Sequence, residues 1–334
     1  MQILGIETSC DETAAAVFDG HKLLSNVIVT QEIHKQYGGV VPELASREHL
    51  NRIIPVVKEA LSKADITLND LDAVAVTKGP GLVGALLIGV SFAKSLSYSL
   101  DIPIIGVNHI EAHLWANIFE NPALIPPFIG LIISGGHTQL WLVKGFGDYK
   151  LLGQTLDDAV GESFDKTAQV LGLEYPGGPE IDRASKKGDP DFYKFPRPIL
   201  KSGDYNFSYS GLKTAVLYFV RKLDEKELEE HRNDIAASFQ MAAIDSLVIK
   251  SIQAAREYKI DKIILGGGVA ANSLIKTRFK ECAEDENIEV FCPSMEFCTD
   301  NAAMIAYLGH RKITKYGGDD LSFSTEPSLK LESS

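Results

Sequence analysis

The chain has 334 residues, 45% of them apolar and 23% charged, with a formal charge of −12. That length allows two domains, each with its own core, and the acidic balance argues against holding a nucleic acid through bulk electrostatics alone. The N-terminus Met1-Gln2-Ile3-Leu4-Gly5 reads without a charged leader, no apolar run of membrane-spanning length is read, and Cys10, Cys282, Cys292 and Cys298 form no C-x-x-C. A reduced, cytoplasmic setting without a membrane is therefore expected.

Strands and helices alternate along the chain, which predicts an α/β protein. Residues 3–18 read as a hairpin around the polar turn Glu7-Thr8-Ser9-Cys10-Asp11-Glu12-Thr13. A helical insertion is predicted over about 31–60. Its Val40, Val41, Leu44 and Leu50 fall on helix-like spacing, which suits either a partner's helices or the chain's own core. Ala73-Val74-Ala75-Val76 leads through Lys78-Gly79-Pro80-Gly81 into a predicted helix from Gly84 to Leu100, the strand Ile104-Ile105-Gly106-Val107, then His109 and His113. Residues 128–143 repeat the hairpin around Ser134-Gly135-Gly136-His137-Thr138. A second insertion, about 155–235, carries Lys186, Lys187, Arg197, Lys201, Lys213, Arg221 and Lys222, read as a solvated basic face. Lys262-Ile263-Ile264-Leu265 then leads through Gly266-Gly267-Gly268-Val269-Ala270-Ala271-Asn272 to a helix, the strand Glu289-Val290-Phe291-Cys292 and Asp300. One strand–loop–helix–strand–helix unit is thus written twice, a duplication rather than a repeat array. It predicts lobes over 1–115 and 116–320 and a polar, mobile tail over 321–334.

His109 and His113 lie four residues apart, on one face of a helix, where two imidazoles can grip one metal ion. Glu111 follows the first histidine by two residues, about 200° of helical turn, and so points away. That order differs from H-E-x-x-H and H-x-x-E-H and disfavours a zinc endopeptidase. Asp300 is expected from the opposite half, completing across a cleft a two-His, one-carboxylate set with open positions, the pattern of a catalytic metal. Glycine-rich turns in both halves let backbone N–H groups approach phosphate oxygens.

Several of these motifs are shared with one family. Gly5-Ile6-Glu7-Thr8-Ser9-Cys10-Asp11-Glu12-Thr13, Gly38-Gly39-Val40-Val41-Pro42-Glu43-Leu44-Ala45-Ser46-Arg47 and Lys78-Gly79-Pro80-Gly81-Leu82 resemble the TsaD-type tRNA N6-adenosine threonylcarbamoyltransferases. Ser134-Gly135-Gly136-His137-Thr138, Phe164-Asp165-Lys166, Tyr175-Pro176-Gly177-Gly178-Pro179, Phe207-Ser208-Tyr209-Ser210-Gly211-Leu212-Lys213 and the glycine triplet at Gly266 extend the likeness over almost the whole chain.

The resemblance implies an actin/Hsp70/sugar-kinase-like (ASKHA) fold of two lobes with nucleotide and metal in the cleft. It implies transfer of threonylcarbamoyl from threonylcarbamoyl-adenylate to N6 of the adenine 3′ of the anticodon in ANN-decoding tRNAs, with release of AMP. Carried over by motif, the ligands of one divalent metal, Fe2+ or Zn2+, are His109, His113 and Asp300. The adenylate contacts are Ile133, Ser134, Gly135, Gly136, His137, Thr138, Asp165, Gly178, Asp182 and Asn272. Asp165 and Asp182 suit ribose hydroxyls, since a carboxylate accepts from both. Asp165 also fits a helix start, and His137 fits an oriented donor beside the metal.

Asp11 and Glu12 are candidates for taking the N6 proton or orienting metal-bound water, although Asp11 also fits a turn cap. The bacterial type implies two protein partners, a paralogous ASKHA-fold subunit and a small P-loop ATPase, which would supply basic surface the chain lacks. A small-molecule kinase on the same fold would need a catalytic Asp and Mg2+ in place of the His pair, and a non-enzymatic scaffold would have lost the His/His/Asp set.

Overall fold

The computed structural model describes residues 1–200 and 202–332. In chain order the elements are β1 (Ile3–Glu7), β2 (Glu12–Phe18), β3 (Leu23–Thr30), α1 (Pro42–Lys63), β4 (Ala73–Gly79), α2 (Val83–Leu100), β5 (Ile104–Asn108) and α3 (His109–Trp115). β6 (Phe128–Ile133), β7 (Thr138–Gly145), β8 (Asp148–Gln154), α4 (Val160–Val170), α5 (Gly177–Ser185), α6 (Ser210–Val220) and α7 (Glu225–Tyr258) follow. The chain closes with β9 (Lys262–Gly266), α8 (Ser273–Glu284), β10 (Glu289–Phe291), α9 (Met295–Cys298) and α10 (Ala302–Tyr316).

The predicted duplication is present in the strand order. One sheet runs β3-β2-β1-β4-β5 and the other β8-β7-β6-β9-β10. In each, an antiparallel hairpin is followed by two parallel strands: Gly5 pairs with Ala16 on one side and Ala75 on the other, and Gly130 with Trp141 and Ile264. Central strands buried on both faces read as continuous apolar runs, and β1 and β6 are buried throughout.

Residues Met1–Glu120 and Thr299–Leu331 form one unit, and Asn121–Cys298 the other. This corrects the division at 115/116, which put everything up to residue 320 in the second lobe. α10 returns to the first sheet because both surfaces are small where they meet. A side chain at Gly5 would strike the backbone of Ala302 and Ala306, and one at Gly309 would strike Ala75. The tail expected to be mobile is docked on the same unit up to Leu331. Asp319 N–H donates to Ile104 O at 2.7 Å and Glu326 N–H to Lys78 O at 2.7 Å, while Phe323 packs on the first core. Backbone groups at the edge of β5 and in the Lys78–Gly81 turn take up these bonds, so the polar composition of the tail hid a docked strap. Ser333 and Ser334 of that tail lie outside the described residues.

Among the described residues two helices, Val83–Leu100 and Glu225–Tyr258, are long and apolar enough to cross a membrane, against the expectation that no such stretch exists. α7 is instead the central helix of the second core, which it shares with β6 and β9. α2 buries Ala85, Leu86, Gly89, Val90 and Ala93 and leaves Val83 and Leu87 exposed.

Candidate active site

Three helices at predicted site residues, α3, α8 and α10, begin on an asparagine. Asn108 Oδ1 accepts from the N–H groups of Ile110 and Glu111, Asn301 Oδ1 from Met304, and Asn272 Oδ1 from Leu274 and Ile275. Such a cap satisfies donors the first turn leaves orphaned. His109 follows one cap directly and Asp300 precedes another, so two of the predicted ligands sit on fixed helix starts.

His109, His113 and Asp300 come together in the first unit, their donor atoms all within 4.8 Å of one another. Asp300 Oδ1 lies 3.1 Å from His113 Nε2 and 3.4 Å from His109 Nε2. Asp300 was expected from the opposite half; it belongs to the same unit as the histidines because the chain returns there at Thr299.

Two imidazole nitrogens and one carboxylate oxygen within reach of one another are a donor set that fits a divalent cation with positions left for substrate. Burial pulls the His109 imidazole down, but the Asp300 and Glu7 carboxylates outweigh it and hold it well above the usual histidine value. His113 is lowered by burial, against its hydrogen bond with Asp300. Burial pushes Asp300 up, yet the two histidines hold it well below the ordinary carboxylate range.

Glu111 faces away, as its spacing predicts. Its Oε2 is 2.6 Å from Lys312 Nζ on α10, with only 3% of the Glu111 side chain exposed. This ion pair ties the ligand helix α3 to the helix that starts beside Asp300, and it leaves Glu111 unavailable as a protease base. Lys312→Met strands a buried carboxylate and should cost about 3 kcal/mol of stability, read as a lower urea midpoint. Adding Glu111→Gln should recover most of the loss. An unchanged midpoint in the single variant would remove the pair from this account.

The β1–β2 turn is pinned from α1. His49 Nε2 donates to Cys10 O at 2.9 Å, and its Nδ1 meets Thr13 Oγ1 at 2.8 Å. Glu12 is held well above the ordinary carboxylate range by burial, then by Asp11 and Asp300. That direction favours the protonated, donating form, which weakens it as a general base in the metal-free state. Burial and Asp11 also push the Cys10 thiol well up, so Cys10 is an inert neighbour. His49 and Glu7 were not singled out from sequence. Glu7 stands in the quoted turn, but a buried acid at a strand end has no local periodic signal.

In the second unit the Ser134–Thr138 turn closes on itself: Ser134 N–H donates to His137 O at 2.8 Å, and His137 N–H to Ser134 Oγ at 3.1 Å. Space stands open beside the α-carbons of Gly135 and Gly136. Thr138 Oγ1 accepts from Val160 N–H, which fixes the start of α4. The glycine triplet lies alongside, because Ile132 pairs with Gly266 and a side chain at Gly267 would strike Ile133 O.

Asp165, Asp182 and Asn272 already hold the fold locally. Asp165 accepts from Gly177 N–H at 2.7 Å, Asp182 from Ser273 Oγ at 2.7 Å, and Asn272 Nδ2 donates to Gln240 Oε1 at 2.8 Å. Gly178 has open space beside it. A cavity of about 180 Å³ adjoins Asp182, lined by Ser185, Lys186, Gln240, Met241, Ser273 and Thr277 among others.

The basic cluster is neutralised in part within the chain. Lys186 pairs with Asp182, Arg197 with Asp245, and Lys213 with Asp158, while Lys201 lies outside the described residues.

Residues 22–307 match the family of tRNA N6-adenosine threonylcarbamoyltransferases. The chain is 51% identical over 332 residues to the protein of that name from Thermosipho africanus, covering 99% of this chain and 100% of the relative. It is 54% identical over 318 residues to that of Caldicellulosiruptor bescii, covering 94% of each. Among solved structures it resembles full-length HypF (TM-score 0.65, 15% identity, 95% of this chain and 47% of that one). It also resembles component A of (R)-2-hydroxyglutaryl-CoA dehydratase from Acidaminococcus fermentans (TM-score 0.57, 14% identity, 94% and 100%). These distant likenesses speak to fold alone, and they fit the duplicated ASKHA plan of the two sheets. By its match over nearly the whole length and by half-identical relatives, the chain belongs to the tRNA N6-adenosine threonylcarbamoyltransferase family.

Proposed function

We propose that the chain passes the threonylcarbamoyl group of threonylcarbamoyl-adenylate to N6 of the adenine 3′ of the anticodon in ANN-decoding tRNAs and releases AMP. The observation that carries this reading is the convergence of His109, His113 and Asp300 in a chain that matches a tRNA-modifying transferase family along its length. His109, His113 and Asp300 would hold one divalent metal, iron or zinc, since this donor set suits both. When bound, that ion supplies Lewis-acid stabilisation of charge on the mixed anhydride.

The chain's own residues do the rest. The open glycines of the Ser134–Thr138 turn, with Ile133 behind them, let backbone N–H groups reach phosphate oxygens. Asp165 and Asp182 offer carboxylate oxygens to ribose hydroxyls in addition to the chain bonds they already make. Asn272 and Gly178 flank that end, and the cavity beside Asp182 is of a size for the base. Of the two turn acids we assign acceptance of the N6 proton to Asp11, because burial and its acidic neighbours raise Glu12 and favour its protonated form.

A chain at −12 is poorly suited to holding tRNA alone, and its internal ion pairs reduce the basic face further. We assign that task in part to protein partners, a paralogous ASKHA-fold subunit and a small P-loop ATPase, in the cytoplasm where tRNA is modified. Support comes from an apolar strip on α1 and α2. Leu50 and Ile54 are 62% and 52% exposed, and Val83 and Leu87 are 62% and 54% exposed, each pair four residues apart. Such a strip suits packing against a partner's helices.

Reconstitution tests the function: chain with zinc or iron, synthetic threonylcarbamoyl-adenylate and unmodified ANN-decoding tRNA, with and without the partners, and a chelated control. Modified adenosine formed only with metal supports the reading. Adenylate bound tightly with no transfer under any of these conditions would return the chain to a kinase or scaffold role.

A further inference from the structure

We propose that Glu7 is the positioning residue of the metal centre, fixing His109 with its proton on Nδ1 so that Nε2 faces the ion. This rests on the metal reading above and adds a residue outside the ligand set. Glu7 is fully buried at the end of β1. Its Oε2 lies 3.0 Å from His109 Nδ1 and accepts from Thr77 Oγ1 at 2.6 Å, while its Oε1 accepts from Ser9 N–H at 2.5 Å. Ser9 Oγ also approaches His109 Nδ1, at 3.2 Å, but an ionised carboxylate is the stronger acceptor.

A neutral imidazole carries one ring proton, and the partner of one nitrogen decides what the other offers. With its proton held by Glu7, His109 has its lone pair on Nε2, the nitrogen beside Asp300. His113 has no such partner, for its buried Nδ1 makes no hydrogen bond among the described residues. The two histidines are therefore unequal: a carboxylate stands behind His109 at Nδ1, and none stands behind His113.

The hydrogen bonds around Glu7 make Glu7→Gln a directed test. Ser9 N–H is a donor and keeps an oxygen at the ε1 position. The amide NH2 must then occupy the ε2 position and donate to His109 Nδ1 and to a rotated Thr77 hydroxyl. Nδ1 becomes an acceptor, the imidazole proton moves to Nε2, and the lone pair that would hold the metal is lost. Thr77→Val removes one donor to Glu7 but leaves the carboxylate facing His109.

The measurement is zinc affinity by competition with a chromogenic chelator, on full-length chains whose folding is checked by circular dichroism. Glu7→Gln should weaken zinc binding about 100-fold, the upper end for residues that orient ligands, and Thr77→Val by less than tenfold. Nitrogen-15 shifts of labelled histidine should place the His109 proton on Nδ1 in the zinc-loaded native chain and on Nε2 in Glu7→Gln at pH 8. Affinity of Glu7→Gln within threefold of native, or equal losses in both variants, overturns the proposal. So does a zinc-loaded native chain with the His109 proton on Nε2, a readout that stands even where Glu7→Gln fails to fold. Zinc bound with the Nδ1 proton in a chain that transfers nothing would keep the role of Glu7 and reject the transferase reading.

Discussion

Asp300→Asn should abolish retention of the metal and lower transfer by at least ~1,000-fold, the size expected when Lewis-acid stabilisation worth about 4 kcal/mol is removed. Asp300 Oδ1 stands between the two histidine Nε2 atoms, 3.1 Å from one and 3.4 Å from the other. An amide there removes the one anionic group of the proposed metal set. It also removes the carboxylate that does most, against burial, to raise His109. The fold should survive, because the adjoining helix start is held by Asn301, whose side chain caps Met304 N–H.

Adenylate binding should also survive within about threefold, since the residues assigned to it belong to the second unit. The expected signature is thus a collapse in kcat at nearly constant KM for the adenylate, with metal content near zero by elemental analysis. Turnover within tenfold of the native chain would sink the assignment of Asp300. A collapse of KM and kcat together with metal retained would point to a role in adenylate binding instead.

Most of the fold could be read locally. The two hairpins around Glu7–Thr13 and Ser134–Thr138, the glycine turns after β4 and β9, and the i, i+4 histidines all lie within short windows where hydrophobic period and turn residues speak directly. What failed was long-range. The period of α10 says that it is an amphipathic helix but not which sheet it covers, and that choice is made by Gly5 and Gly309, whose missing side chains admit close contact. Assigning α10 to the second lobe misplaced Asp300 with it, so the residue was singled out from sequence while its unit was wrong. A trace of the answer lay in the small residues Ala302, Ala303, Ala306 and Gly309, a face suited to a flat, closely packed sheet.

Glu7 was hidden for another reason. Its partners Thr77 and His109 are 70 and 102 residues away, so no spacing rule reaches them. Asp165, Asp182 and Asn272 are legible by motif, yet their observed hydrogen bonds serve the chain itself.

Zinc affinity should fall about tenfold per pH unit as pH drops from 7, and faster below that, giving at least a 100-fold loss by pH 5. A histidine ligand must give up its proton to the ion. In the metal-free chain His109 is held well above 6.5 by Asp300 and Glu7, which outweigh burial, so one proton competes throughout this window. His113 is lowered by burial and joins only in the acid part, steepening the slope. Asp300, held low by the histidines against its own burial, stays ionised and adds nothing.

The stability of the metal-free chain follows from the same directions with the opposite sense for the two kinds of group. The raised His109 contributes stability that is full below 6.5 and is lost as pH rises through its folded value. The lowered carboxylates of Asp300 and Glu7 contribute stability present above their ordinary values and lost as pH falls through the folded ones. Glu12, raised by burial and its acidic neighbours, adds a second component that declines with rising pH. Without metal, then, the melting temperature should peak on the mildly acidic side and fall toward pH 9. With zinc the peak should shift to alkaline pH, because the ion replaces the His109 proton and draws the surrounding carboxylates to their ionised forms. Melting curves that shift equally with pH in the two states would rule out His109 as the site of that exchange.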